Sequence, residues 1–205
     1  VNIGFTIRKM DGFNGRGPLS GNFHPDIGKF LTRHAKPGSL VAFQDMGSTP
    51  YHAPDLKFLD FIGLVDRTVA RARHRHGLHA FLPTGSRKKK AEYDARMREY
   101  FYERSPEWVI LTSYIPGSQA GRVSKEFATN PVPETLEPYI GSNSYQFQIY
   151  NQKFKDRYDH VRTWPRSSTY YLSLFRRSDL RERTPGEVVI GAGGETEVGP
   201  DVDEM

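Results

Sequence analysis

Four short apolar runs limit what this chain can become: SLVAF (Ser39 to Phe43), KFLDFIG (Lys57 to Gly63), WVILTS (Trp108 to Ser113) and TYYLSLF (Thr169 to Phe175). Each is too short for an ordinary helix and is bounded by turn residues. Each is also apolar without clean alternation, the pattern of a strand covered on both faces. Helical spacings lie between them. Ile27, Phe30, Leu31 and His34 recur every three or four residues behind Pro25, a residue suited to a first helical turn, until KPG stops the pattern. Asp66 stands before Thr68, Val69, Ala70 and Ala72, where a carboxylate caps the open amides of a helix start. Tyr93, Met97, Tyr100 and Phe101 mark the apolar face of a helix over 91–104. Phe147, Tyr150, Phe154, Tyr158 and Val161 show the same spacing and predict another helix, ended by Pro165. Residues 114–144, with Pro116, Pro131, Pro133 and Pro138, are expected to be mostly loop with one short helical turn at most.

Strands that alternate with helices predict an α/β layered domain: a mainly parallel central sheet of about four or more strands, flanked by helices. The 205 residues suffice for one such core, and with 13% aromatic content Phe and Tyr must supply much of it. The expected organisation is an irregular Gly-, Asn- and Pro-rich lead-in at 1–23, a single α/β domain at 24–178, and a polar, acidic, partly disordered tail at 179–205.

Composition removes several function classes. Without cysteine there is no disulfide, thiol nucleophile or thiolate metal site. No stretch reaches the roughly 20 apolar residues of a membrane helix, so the chain as it stands reads as soluble. The net charge of +5 is unevenly placed, because from Arg67 to Lys90 there are Arg71, Arg73, Arg75, Arg87, Lys88, Lys89 and Lys90 but no acid. Such a run is either an ordinary solvated surface or a contact for phosphate and lipid head groups. His74, His76 and His79 within it have a spacing open to zinc. Arginines interleave them, however, and no fourth ligand or supporting carboxylate is evident, so a basic loop is the preferred reading and neither metal nor cofactor is expected. The segment LPTGSRKKK lacks the phosphate-loop pattern, and no nucleophile elbow, zinc-protease helix or dinucleotide fingerprint is present. No catalytic residue is assigned.

In open α/β sheets ligands gather beyond the carboxyl ends of strands, which directs attention to the residues after Phe43, Phe61 and Ser113. The candidates there are Asp45, Gly47, Tyr51, His52, Asp60 and Asp66. Together they would suit a cation, an amine or a sugar hydroxyl, or acid/base work. Alternatively the aspartates cap backbone amides and pair with arginines, as acids at loop starts often do.

The stretch HPDIGKFLTRHAKPGSLVAFQDMGSTPYHAPDLKFLDFIGLVDRTVAR carries a series of features in order. They are a helix with Pro-Asp at its start, Pro37-Gly38 and a strand, Asp45 and Gly47 followed by Pro50-Tyr51, a strand ending in Asp60, and then Gly63-Leu64-Val65-Asp66. With ERSPEWVILTS, FKDRYDHVRTW and YYLSLFRR, the stretch from Pro25 to Arg177 resembles the soluble C-terminal regions of bacterial polytopic membrane glycosyltransferases. These use polyprenyl-phosphate sugars and resemble the protein-mannosyltransferase and arabinosyltransferase class. Gln44 and Met46 depart from the small or acidic residues expected beside Asp45, and RHRHGLH is foreign to the pattern. The resemblance implies an extracytoplasmic, periplasmic domain whose partners are the membrane-embedded part of its parent protein and a polyprenyl-phosphate sugar or glycan acceptor. The catalytic carboxylate would lie outside this chain, and the basic run would face the membrane surface. Two other functions remain open on the residues alone: a free-standing α/β enzyme or a carbohydrate-binding module, either using Asp45, Asp60 and His52. A nucleic-acid binder using the basic run is disfavoured by the acidic tail and the lack of a recognised module.

Overall fold

A computed structural model describes residues 23–76, 87–129, 136–141 and 146–180, together with two short strands at 188–190 and 196–198. The apolar runs become strands β1 (Leu40–Phe43), β2 (Lys57–Asp60), β3 (Trp108–Tyr114) and β5 (Tyr170–Arg177), joined by an unexpected β4 (Tyr158–Ser167). They form one sheet in the order β2-β1-β3-β5-β4. The helices are α1 (Phe23–His34), α2 (Ser48–Tyr51), α3 (Arg67–Arg75), α4 (Arg87–Arg104), α5 (Gly117–Thr129) and α6 (Gln152–Lys155). The α/β layering agrees with the sequence reading. The mainly parallel sheet does not, because only β2, β1 and β3 are parallel, while β5 runs against both β3 and β4. The reason lies in chain length. Parallel neighbours need a crossover of a dozen residues or more, whereas β4 and β5 are joined by a tight turn after Ser167.

Strand alternation divides the interior into two cores. On one face Val41, Phe43, Trp108, Ile110, Leu172 and Leu174 meet Ile27 and Leu31 of α1. On the other, Ala42, Leu59, Val109, Leu111 and Tyr171 meet side chains of α3, α4 and α5, among them Val69, Met97, Phe101 and Val123. This second core is largely aromatic. Phe154 stacks on Tyr158 at 4.6 Å and meets Phe175 edge-on at 5.1 Å, and Phe147 meets both Phe61 and Tyr93 edge-on.

Two further expectations fail for local reasons. Residues 147–161 are not a long helix: Phe147 and Gln148 adopt positive φ values of 53° and 54°, which break a helical path, and only the four residues of α6 coil before β4 begins. Pro165 lies inside β4 rather than ending a helix. It is tolerated because β4 is an edge strand and a register shift falls beside it, between Pro165 and Ser167. Conversely the Pro-rich segment contains α5, thirteen residues long, anchored by the buried Ala120, Val123 and Phe127. The lead-in at 1–22 lies outside the described residues. Within the tail, β6 (Val188–Ile190) and β7 (Thr196–Val198) pair as a separate antiparallel ribbon. No helix among the described residues is long and apolar enough to cross a membrane.

Candidate functional site

The connections around β1 and β3 leave the sheet in opposite directions. From β1 the chain enters α2, which packs on α1 so closely that a Cβ on Gly28 would come within 2.7 Å of both the His52 Cβ and the Thr49 carbonyl oxygen. From β3 it enters α5, whose Val123 and Phe127 belong to the opposite core. Adjacent strands with diverging exits open a crevice at their carboxyl ends. Because β5 is antiparallel, its first residue pairs with the last of β3 (Tyr170 with Tyr114), so β5 and the end of β4 deliver side chains to that crevice as well.

Asp45 is the centre of the group. Its side chain is 35% exposed, and its Oδ2 lies 3.6 Å from His24 Nε2. That is too long for a hydrogen bond. Burial, reinforced by the nearby positive charge of Arg166, lowers the His24 pKa to about 4, so at neutral pH the imidazole is uncharged and this contact is not an ion pair. Instead the His24 Nδ1 lies 3.1 Å from the Thr49 hydroxyl, which fixes the ring against α2. Burial also raises the Asp45 carboxyl above the usual range, opposed by Arg166 and by a hydrogen bond donated from Tyr170, while Asp60 adds to the rise. Burial and the Asp45 charge in turn push the Tyr170 phenol up. Tyr114 packs edge-on to Tyr170 at 4.8 Å and is hydrogen-bonded both to it and to Gln44, and the Arg166 guanidinium lies over the Tyr170 ring at 5.3 Å.

Behind this group is a buried amide network. Gln146 Nε2 donates to the Thr112 hydroxyl at 2.7 Å and to Gln44 Oε1 at 3.3 Å. Gln146 Oε1 and the Ser113 hydroxyl are buried without a partner among the described residues. Arg98 holds this segment in place by donating to the Phe147 carbonyl at 2.9 Å. The crevice therefore offers a half-exposed carboxylate, a guanidinium, two phenols and a polar floor. Tyr114, 48% exposed, forms its open wall.

The other sequence candidates divide sharply. Asp60 is fully buried: one carboxylate oxygen accepts the Ile62 amide at 2.7 Å and the other the Val65 amide at 2.8 Å. Asp66 caps α3 by accepting from the Thr68 and Val69 amides and also accepts the Tyr100 hydroxyl at 3.1 Å. Both acids build the turn around Gly63. Gly47 precedes α2 at φ −97°, with nothing within 4 Å of where a Cβ would stand, so no close packing there requires a glycine. Tyr51 is 80% exposed, and the His52 ring packs edge-on against it. The imidazole beside Asp45 is thus His24 and not His52.

In the basic run, Arg73 is buried and donates to the Ile62 carbonyl at 2.6 Å, and Lys90 pairs with the buried Asp94 at 2.5 Å. Arg71, Arg75, Arg87, Lys88 and Lys89 are exposed. His76 lies 2.7 Å from the Ala72 carbonyl and against Tyr93, His74 is exposed, and His79 lies outside the described residues. No group of three potential metal ligands occurs among the described residues. His24, Tyr114, Arg166 and Tyr170 escaped sequence reasoning. Of these only His24 had a readable signal, as the residue before the Pro-Asp of a helix start.

A model of the family described as domain of unknown function DUF8728 matches residues 16–178. No curated protein and no solved structure matches the chain.

Proposed function

We propose, for a chain that belongs to this family of unknown function and so brings no activity with its membership, that it is an accessory domain which binds a hydroxyl-rich ligand at the carboxyl edge of its sheet. The ligand is a glycan acceptor or the sugar of a lipid-linked donor. The domain serves a membrane glycosyltransferase on the extracytoplasmic face without being catalytic alone. One observation carries the binding half of this reading: Asp45, Arg166, Tyr114 and Tyr170 converge on the crevice between β1 and β3. Sugars are recognised by this mixture, because a carboxylate and a guanidinium supply fixed acceptors and donors for hydroxyls while aromatic faces cover the apolar face of the ring. The order of motifs from Pro25 to Arg177 supports the glycosyltransferase half by resemblance. The alternative of a free-standing enzyme using Asp45, Asp60 and His52 loses support, since both Asp60 oxygens already accept backbone amides.

The test is a titration followed by amide chemical shifts, using methyl hexosides, methyl pentosides and a short-chain, water-soluble polyprenyl phosphate. Shifts at Asp45, Tyr114 and Tyr170 are expected with at least one of them, and Asp45→Ala should abolish them. Unmoved signals at these positions with every probe would overturn the reading. For the membrane half, the coding sequence upstream of Val1 should specify several apolar spans of about 20 residues.

A further inference from the structure

At the opposite, amino-terminal end of β3 lies a cavity of about 530 Å³, lined by α1, the start of β4 and the end of β5. Phe30 gives it an aromatic wall, the buried Trp108 lies beneath it, and Arg33, Lys36 and Arg176 surround it together with a single acid, Asp159. The bland account of Arg33 and Lys36 is that cations favour the negative end of α1. That account does not reach Arg176, which comes from β5 and lies over the Trp108 ring at 5.2 Å. Nor does it explain why cations from separate elements converge around one aromatic hollow.

Among the described residues, none of Arg33, Lys36 and Arg176 has a carboxylate within ion-pair distance. By contrast Arg177, at the same rim, is held by Asp179 at 2.6 Å and by the Ser105 carbonyl and hydroxyl. Nearby Glu107 accepts from Ser39 at 2.7 Å. Three cations against Asp159 leave two positive charges, the complement of a phosphate monoester at neutral pH. Guanidinium groups match phosphate oxygens in pairs, and the flat wall suits an apolar or planar organic part.

We infer that this cavity is a second binding site, separate from the crevice at the carboxyl edge, and that it takes a phosphate ester whose organic part packs against Phe30, beside the Arg176 guanidinium that covers Trp108. The inference does not depend on the sugar-binding reading and is measured at different residues. The ester reaches the site either as a soluble molecule or as the head group of an anionic lipid, and the phosphate chemistry is the same in both.

The 205-residue chain is titrated with phenyl phosphate, with inorganic phosphate and with phenol as controls, while the indole N–H signals of Trp108 and Trp164 are followed. Phenyl phosphate should move the Trp108 signal more than that of Trp164, which meets Phe30 edge-on at 5.7 Å, with inorganic phosphate weaker and phenol weaker still. Arg176→Gln should weaken binding about tenfold, and the surface variants Arg33→Gln and Lys36→Gln, which touch no core packing, about threefold or more each. In a second arm, the chain is sedimented with phosphatidylcholine vesicles containing phosphatidic acid. Retention that falls in the same three variants identifies a lipid head group as the source. Phenyl phosphate binding without such retention identifies a soluble ester. A Trp108 signal unmoved at tens of millimolar phenyl phosphate, or affinities unchanged in Arg33→Gln and Lys36→Gln, would overturn the proposal.

Discussion

Two aspartates end neighbouring strands, yet their fates differ. Asp60 at the end of β2 pairs in register with Phe43, two residues before Asp45 at the exit from β1. Asp60 is fully buried and both its oxygens are satisfied by amides of its own turn. Asp45 is partly exposed, raised by burial, and surrounded by an arginine, a histidine and a tyrosine drawn from α1, β5 and the end of β4. An acid whose oxygens are used by local backbone is part of the architecture. An acid held in an incompletely solvated crevice by groups distant in sequence retains capacity for a ligand.

The contrast can be broken first at Asp60. Asp60→Ala should cost about 3 kcal/mol in urea denaturation, because two amides lose their acceptor in the interior, whereas Asp45→Ala should cost less than about 1 kcal/mol. Equal losses would erase the distinction. Next comes the turn itself. Gly63 has φ +80°, and a Cβ there would stand 2.7 Å from the Ala70 nitrogen, so Gly63→Ala should cost about 2 kcal/mol, read as a lowered denaturation midpoint.

A pH series then addresses the crevice. His24 takes up its proton only near pH 4 when folded but near 6.5 when unfolded, so the unfolded state binds more protons between these values. Stability should therefore fall by about 1 to 2 kcal/mol on acidification from pH 6.5 to 4, after allowing for water at the ring's exposed edge. A His24→Gln variant should lack this slope. Asp45 acts in the other sense: a raised carboxyl pKa favours the folded state at low pH, and that advantage is lost as pH rises through it. Asp45→Asn should accordingly be no less stable than the parent at pH 7 and should lose more on acidification. A modest effect is expected at the other capping acid, where Asp66→Ala should cost about 1 kcal/mol in thermal unfolding and leave ligand titrations unchanged.

The strands of the parallel half were legible because each is a continuous apolar run, and the Asp66 cap was legible because a helical pattern follows it directly. What failed shares a cause in long-range pairing. In residues 147–161 the aromatic spacing imitates a helix, but the rings converge on one core from a turn, a single helical turn and a strand. Helix α5 carries Gly117, Gly121 and Ser124, which dilute the pattern set by the buried Ala120, Val123 and Phe127. The site was half legible for the same reason. A parallel sheet would place Tyr170 at the far end from Asp45, and only the reversed direction of β5 brings Tyr170 to it, while Arg166 arrives from the end of β4, an unforeseen strand that runs as β3 does. Register across an antiparallel pair is decided by turn length and packing, neither of which shows in the composition of either strand.

The irregular strand β4 has a consequence for how the molecule meets its own copies. A sheet with open margins invites another chain to add a strand, and the described sheet has two margins, β2 and β4. On β4, a proline without an amide hydrogen, register shifts at His160/Arg162 and Pro165/Ser167, and arginines at 162 and 166 interrupt the ladder another chain would have to follow. The opposite margin is only four residues long and begins with Lys57. Both borders of the described sheet are thus poor templates for a strand added from another copy.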